Sequence, residues 1–579
     1  MDPATIFDKM LFLDPGAVFT PFRVIVSIAL CALLVVAYRY SARLPVAIPT
    51  SAPSPKPATR SERLIEWLPI IGVLAVALVI RSINLGINSY NNQEMISLEL
   101  ANFTASPVKT VLNILSLYTF HQPINTFFVK ALSLVTTNEI VQRIPSVVFG
   151  TAAVYYGFRL GSYLSSKPTG LLMALVIACA PIAVFYSRSI EAYSLYLMLA
   201  ILQLYYFIRF ADEQDRALPL VIVSVVGFYT HFFFAVLVAA EIAYAILRHI
   251  TGSLARNNAV RIYGALALCI APMTLWLPIV FETFASAERH IDTTVGQIYF
   301  PDMHPIRIVL IMVQVFTGIE NPIGATLLSA AAVMCCAYLL IIKKRTHQLL
   351  FLIITAFGVL FAFTSQVVSA HKIGGVFPIT FRHHIYVFVS LFVPLLTLPD
   401  AIQPARIRQI ALCALAGGAI FLGAVSIHQV TRMQHPDYRS LAHDIRRDYD
   451  PRTDALAIAN TLYIPSIRYY LHTDRSDYRF YNINFMSGFY ISGIATDGPK
   501  AHEYRFLKPS RTTLPRVIED HRIKRVWFVI VEERALGVLS YTQQLEYNLL
   551  TDLTELFPSH ATIKNYFSPD IKTAILQLQ

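Results

Sequence analysis

The sequence predicts a polytopic α-helical membrane protein: about twelve transmembrane helices, then a small C-terminal α/β domain. Three observations carry that expectation. Of 579 residues, 55% are hydrophobic and 14% charged, against roughly a quarter charged in an average soluble domain. The apolar residues arrive in blocks of about 17–23, the length that crosses a hydrocarbon core of roughly 30 Å. After residue 428 the charges return and shorter strand-like runs replace the blocks. This composition excludes a soluble multidomain enzyme, and so much apolar surface excludes a disordered chain.

Taken in order, the spans fall at about 22–38, 67–84, 144–163, 168–186, 192–210, 217–231, 232–248, 260–282, 323–342, 347–368, 383–399 and 408–427. Hydropathy is unbroken from 217 to 248, and one helix of that length would be unusual in a bilayer. A break is therefore expected at Tyr229-Thr230-His231. Residues 1–66 supply an extra helix and a Ser/Pro-rich cytoplasmic linker, 67–427 the transmembrane domain, and 428–579 the extracytoplasmic domain. The segments 123–136 and 305–318 are too short to span and suit helices lying in the outer interface. In the tail, strand-like runs stand at 455–459 and 526–531, with helical patterns at 440–449 and 466–471.

Basic residues set the orientation. The linker holds Arg39, Arg43, Lys56, Arg60 and Arg63, with no acid before Glu62, and is placed in the cytoplasm. Alternation then puts Lys167, Arg209, Arg216, Arg248, Arg256, Arg261, Lys343, Lys344, Arg345, Arg406 and Arg408 on that side as well. The net charge of +11 is thus a topology charge. With no basic-aromatic motif, no nucleic-acid partner is expected. The six cysteines all lie in apolar runs without zinc or redox spacing, and are expected to be small core residues. No cleavage pattern follows the first apolar run near Phe22, so an uncleaved, multi-pass membrane protein is expected.

Polar residues gather on the other side. Ser89-Tyr90-Asn91-Asn92-Gln93-Glu94 follows the second span, and Glu94 is the first acid to emerge there. His121-Gln122-Pro123 and Asn125 open the first interfacial helix. Tyr186-Ser187-Arg188 precedes Glu191 and Tyr193; then come His231, His371-Lys372 and Arg382-His383-His384. Ionisable groups at a bilayer are costly and mark a functional site by default. A carboxylate can serve as general base towards a hydroxyl or amine, and Arg can clamp a phosphate with two parallel hydrogen bonds. Taken singly, each of these residues also fits an ordinary interface side chain. Side chains at 383 and 384 diverge by about 100° on a helix, so no metal is expected there. Glu241 lies in an apolar run and is expected to hydrogen-bond a neighbouring helix.

The order of these residues resembles the GT-C fold glycosyltransferases, the relatives of protein O-mannosyltransferases and of the lipid A aminoarabinose transferase. The resemblance runs through Arg81-Ser82-Ile83-Asn84-Leu85-Gly86, Gln93-Glu94, His121-Gln122-Pro123, Glu139, Arg143-Ile144-Pro145-Ser146, Phe149-Gly150, the Gly161-to-Leu164 turn, Pro181, Tyr186-Ser187-Arg188, Tyr193, Thr230-His231 and Arg382. It covers about 130 residues closely and reaches 400 more loosely. The tail's Tyr438-Arg439-Ser440-Leu441 resembles the small outer domain of such enzymes. One departure stands out: the family's Asp of an Asp-Glu pair, taken as its catalytic base, meets Gln93 here. Glutamine does not accept a proton at neutral pH.

The resemblance implies a membrane glycosyltransferase that uses a polyprenyl-phosphate-linked sugar donor and a glycan, lipid or protein acceptor at the outer, periplasmic face. Glu94 would be the catalytic base, with Glu99 or Glu191 as other acids able to take that role. Arg382 would hold the donor phosphate, assisted by Lys372 or Arg188. Gln93, His121, Asn125, Tyr193 and His231 would line the substrate pocket. No cofactor is required by this reading, although a divalent metal is compatible with it. The alternatives are a non-catalytic scaffold that keeps the fold, motivated by Gln93, and a lipid-glycan transporter or flippase. The last would call for broken helices with charges at mid-membrane.

Overall fold

The structure is a computed structural model. It describes residues 60–91, 94–95, 97–98, 101, 123–213, 216–275, 305–319, 321–372, 381–431, 437–450, 453–458, 464–471, 480–482, 525–531, 561–565 and 571–577. The first expected span, 22–38, lies outside these residues.

Helix α1 is Arg60–Ser82 and α2, at the expected interfacial segment, is Pro123–Ser133. Helix α3, Glu139–Leu164, is opened by Asn138, whose side chain accepts from the N–H groups of Ile140 and Val141. The cap starts the helix five residues before the expected 144, so Glu139 and Arg143 stand on its first turns instead of in a loop. Helix α4, Lys167–Cys179, is capped by Ser166, which accepts from the Thr169 N–H. The expected single span 168–186 is divided: α4 ends at Cys179 and Pro181 opens a separate short helix, α5, Pro181–Tyr186. A proline ring has no N–H to continue the ladder and clashes with the preceding turn. The expected turn at Gly161 is instead the last turn of α3. A Cβ on Gly161 would come within 2.9 Å of the Gly170 Cα, so α3 and α4 cross in backbone contact.

Helices α6 (Tyr193–Glu213), α7 (Ala217–Thr230) and α8 (Phe234–Ile250) follow. The chain breaks between α7 and α8 at 231–233, with His231 extended at φ −158°, ψ 118°. Next come α9 (Arg256–Ile270), α10 (Pro305–Thr317), α11 (Pro322–Ala337) with a π turn to Ile342, and α12 (His347–Lys372). A 3-10 turn, Phe381–His384, leads into α13 (Ile385–Thr397), and α14 is Ala405–Val430.

Five helical stretches among the described residues are long and apolar enough to cross a membrane: Tyr193–Glu213, Pro322–Ile342, His347–Thr364, Arg382–Ala401 and Ala405–Val430. Shorter apolar helices stand at Trp67–Ser82, Lys167–Cys179, Ala217–Thr230 and Ile308–Thr317. The long ones differ in what surrounds them. Those of α6 and α13 are 83% and 89% buried, whereas those of α11 and α14 are 22% buried. Thus α6 and α13 form the centre. The outer helices turn Leu327, Val333, Ile341, Ile410, Ile420 and Phe421 outward. Apolar exposure on that scale is stable in lipid and not in water.

The tail is built differently. Helix α15, Tyr438–Asp448, is opened by Asp437, which accepts from the Ser440 N–H. Then come β1 (Asp454–Ile458), α16 (Ile464–Leu471), β2 (Phe480–Asn482), β3 (Arg525–Val531), β4 (Ala561–Asn565) and β5 (Ile571–Gln577). They form one sheet in the order β2-β1-β3-β5-β4. Strand β1 runs parallel to β2 and β3, and β5 antiparallel to β3 and β4. Buried Asp454 ties β1 to β3, accepting from Arg525 and from the Trp527 indole at 3.0 Å. Tyr438, Leu441, Ile445, Ile467 and Trp527 pack in one apolar cluster with Tyr90, Met95, Leu98, Val129 and Ile190. The tail therefore shares its core with the segment that follows α1.

Candidate active site

The segment from Ile83 to Asn91 has little regular structure, so its polar backbone groups need other partners. Arginines supply them. The Arg143 guanidinium donates to the carbonyls of Leu85, Asn88 and Ser89, and grips Glu94 with Nε to Oε1 (3.1 Å) and Nη2 to Oε2 (3.0 Å). Both side chains are 1% exposed. Glu94 accepts two more bonds: from the Ile190 N–H at Oε1 and the Asn91 N–H at Oε2. Its own N–H donates to Asn91 Oδ1. Each carboxylate oxygen thus accepts from two N–H donors, and the Tyr90 ring lies 5.1 Å from the guanidinium.

Arg188 is spent in a similar way. It donates to the carbonyls of Arg81, Ile83 and Asn84 at the C-terminal end of α1. Burial, and next the neighbouring Arg143, pull its guanidinium down to about 10. Arg81 is fully buried and caps the end of α4, donating to the carbonyls of Ile177 and Ala178 and to Ser187 Oγ. Three of the five N–H donors of Arg188 thus go to the end of α1. These partners are helix-end carbonyls, which a sequence does not display.

Beyond Ile190 the arrangement opens. Glu191, 7% exposed, accepts from Ser189 Oγ at 3.2 Å and faces Arg382 at 3.7 Å. Burial pushes its carboxyl above the ordinary carboxylate range, while Arg382 acts in the opposite direction. Arg382 lies over the Tyr193 ring, 5.6 Å from its centre, and retains 20% exposure. His383 stacks on Tyr193 with ring centres 5.9 Å apart, and lies tilted 5.2 Å from His231. His231 lies flat on Tyr196 at 4.5 Å. Asn125, on α2, donates to the Ile190 carbonyl at 3.1 Å, and so reaches the same turn. A groove between α2, α3 and α6 ends at Glu191, with Asn125, Gln142 and Ser194 polar and Phe128, Val129 and Phe149 apolar along it.

The structure therefore brings together Glu94, Asn125, Tyr193, His231 and Arg382 around the 189–191 turn, from five separate parts of the chain. Gln93 and His121 lie outside the described residues, as does Glu99. Lys372 ends α12, and its side chain is outside the description. Arg143 and Glu139 carry much of the arrangement and were not among the expected site residues. Their signal was available: the only acid-Arg pair at i, i+4 just before the third span is Glu139 and Arg143. Among the described residues no three His, Cys, Asp or Glu side chains group so as to hold a metal ion. Glu94, its lone pairs turned to N–H donors, does not fit as a metal ligand.

Residues 121–276 match the family model described as dolichyl-phosphate-mannose-protein mannosyltransferase. No curated protein sequence matches the chain. Its fold is similar to that of ArnT from Cupriavidus metallidurans in the apo state, with a TM-score of 0.55 at 10% identity, over 89% of this chain and 98% of that one. The same enzyme bound to undecaprenyl phosphate gives a TM-score of 0.53, with the same identity and coverage. The oligosaccharyltransferase of Archaeoglobus fulgidus gives 0.44 at 11% identity, over 80% of this chain and 69% of that one. Both lines of likeness meet the resemblance carried by Arg81 to Arg382: the chain has the GT-C fold and is a glycosyltransferase-like membrane protein.

Proposed function

We propose that the chain transfers a sugar from a polyprenyl-phosphate-linked donor to an acceptor at the outer face of a plasma membrane, with the tail on that same face. The observation that carries this reading is the Glu191–Arg382 pair over Tyr193, at the head of α6 and α13, the two most buried of the five long apolar stretches. The pair is close enough to attract and long enough to part. A donor phosphate at Arg382 replaces the carboxylate as the partner of the guanidinium. Glu191, released, takes the proton of the acceptor hydroxyl or amine as that atom bonds to the anomeric carbon. The bond from that carbon to the phosphate oxygen breaks, and the lipid phosphate leaves with its charge held by Arg382. A single displacement of this kind inverts the anomeric centre.

In this reading Glu94 has a holding task. Four N–H donors contact its oxygens, whereas Glu191 has the Ser189 hydroxyl, the Asn91 side chain and a 3.7 Å ion pair. Asn125, His231 and Tyr193 border the substrate; Gln93, His121 and Lys372 are proposed to complete the pocket. The undecaprenyl phosphate on the structurally similar ArnT supports a lipid-phosphate donor. The apolar outward faces of α11 and α14 support delivery through the bilayer.

The test is sugar transfer from a polyprenyl-phosphate donor by purified protein in liposomes. Glu191→Gln is expected to lower kcat at least about 100-fold, the usual contribution of a general base. Arg382→Ala is expected to lower kcat and raise KM. Full activity in both variants would sink the site assignment. A wild-type chain that binds the donor and turns it over with no acceptor would favour the scaffold reading.

A further inference from the structure

The tail adds a third arginine to the segment after α1. Arg439, on α15, donates Nη1 to the carbonyls of Gly86 (2.9 Å) and Ile87 (3.4 Å), and Nη2 to that of Asn88 (2.8 Å). It also grips both oxygens of Glu139 at 3.1 and 2.6 Å. Glu139 in turn stands 3.9 Å from Arg143, the residue that holds Glu94. The carbonyls of Ile83 and Asn84 belong to Arg188, those of Leu85 and Ser89 to Arg143, those of Gly86 and Ile87 to Arg439, and that of Asn88 to both Arg143 and Arg439. Seven consecutive carbonyls are thus claimed by guanidinium groups. Next to them the Tyr90 N–H donates to Tyr470 Oη of α16 at 2.7 Å, and the Tyr90 hydroxyl to Gln142 of α3 at 2.9 Å.

We propose that Arg439 is a positioning residue of the transfer site: the tail, through Arg439 and Tyr470, sets the conformation of 85–91 and so the place of Asn91, Glu94 and the 189–191 turn. The route is physical and short. Residues 85–91 are held from inside by Arg143 and from the tail by Arg439. Glu94 accepts from the Ile190 N–H, so a shift of the segment reaches the neighbour of Glu191 through one hydrogen bond. Withdrawing Arg439 strips Gly86 and Ile87 of its donors and leaves Glu139 with Arg143 and Tyr470. The inference rests on the transferase reading for its kinetic consequence only; the ordering of 85–91 by the tail stands apart from it.

The experiment uses the full chain in detergent or nanodiscs and two readouts. The first is amide hydrogen exchange of the peptide spanning 83–95, with peptides of α6 and α13 as internal references. Arg439→Ala is expected to speed exchange at 85–95 at least tenfold and to leave α6 and α13 unchanged, with Arg439→Lys between it and the wild type. The second is transfer from a polyprenyl-phosphate sugar. Arg439→Ala should lower kcat at least tenfold with the donor KM unchanged, because Arg382 stands on another element, and Arg439→Lys should restore part of the loss. Unchanged exchange at 85–95 overturns the proposal. So does faster exchange with unchanged kcat, since the segment would then be ordered by the tail without consequence for the site. If Arg439→Ala does not fold, Glu139→Gln carries the same readouts, because it weakens the grip on Arg439 and leaves the carbonyl bonds. Failure of the transferase reading shows separately, as no sugar transfer by the wild-type chain, and leaves the exchange arm intact.

Discussion

Replacing Glu94 by Gln separates a holding carboxylate from a catalytic one. The four groups around its oxygens are N–H donors: Arg143 Nε and Nη2 and the amides of Ile190 and Asn91. A glutamine amide placed either way therefore points its own N–H at a donor. Its flip, the usual relief, gives nothing. Glu94→Ala goes further and removes the hydrogen-bonded anion of the 1% exposed Arg143 cation, leaving Glu139 at 3.9 Å. Breaking one side of such a pair costs about 3–5 kcal/mol, or about 10² to 10³·⁵ in the folded-to-unfolded ratio. Removing both partners leaves no stranded charge, so the two Ala substitutions should couple by at least about 2 kcal/mol in a double-mutant cycle. The assay is thermal unfolding of purified protein in detergent, alongside transfer. Expected are a clearly lowered midpoint in Glu94→Gln, a lower one in Glu94→Ala, and a double variant less damaged than the two singles added. A Glu94→Gln protein of wild-type stability that has lost only turnover would refute the reasoning and return the base to Glu94. So would additivity of the two Ala substitutions within about 0.5 kcal/mol.

Other outcomes follow from the same geometry. A Cβ on Gly150 would sit 1.9 Å from Ser187 Oγ and 3.0 Å from Arg81 Nε; Gly150→Ala should therefore displace the Ser187 acceptor of Arg81, costing about 2 kcal/mol, and Ser187→Gly in the same chain should recover part of the lost melting temperature. Burial raises the carboxyl of Glu191 above its unfolded value, so the folded chain keeps that proton to higher pH than the unfolded one. The resulting stability is whole below about pH 4.3 and is lost as pH rises through the folded value; melting temperatures measured across that window should lose this slope in Glu191→Gln. Glu241 accepts from Gln203 Nε2 at 2.7 Å, and no hydrogen bond is recorded for its Oε1 among the described residues. Glu241→Gln keeps an acceptor for Gln203 and should shift the melting temperature little, whereas Glu241→Lys at this fully buried place should prevent purification of folded protein.

Much of the architecture was legible because it follows from hydropathy and chain punctuation. The break expected at Tyr229-Thr230-His231 appears at 231–233, and the strand-like runs at 455–459 and 526–531 coincide with β1 and β3. The division at Pro181 was missed, since the apolar run does not falter there and a proline within a membrane helix is often tolerated. The candidate site was legible in its membership more than in its roles. Glu191, Tyr193, His231 and Arg382 do converge. The partners of Arg188 and two of the four described for Glu94 were hidden because they are backbone groups. A carbonyl or an amide N–H is present at nearly every residue, so a pattern of side-chain letters carries no mark of the ones a guanidinium or carboxylate will seek.

The three arginines that hold residues 83–89 come from very different distances along the chain. Arg143 reaches Leu85 across 58 residues, Arg188 reaches Ile83 across 105, and Arg439 reaches Gly86 across 353. During synthesis the first two are in place while the bundle is still being completed. The third emerges only after α14, and closing a loop that long costs little more entropy than closing a shorter one. The stretch beside the carboxylates is therefore finished from its far end, and the order of translation becomes an order of assembly. A chain stopped before residue 438 would contain every residue proposed for transfer and still lack the last donor for Gly86 and Ile87.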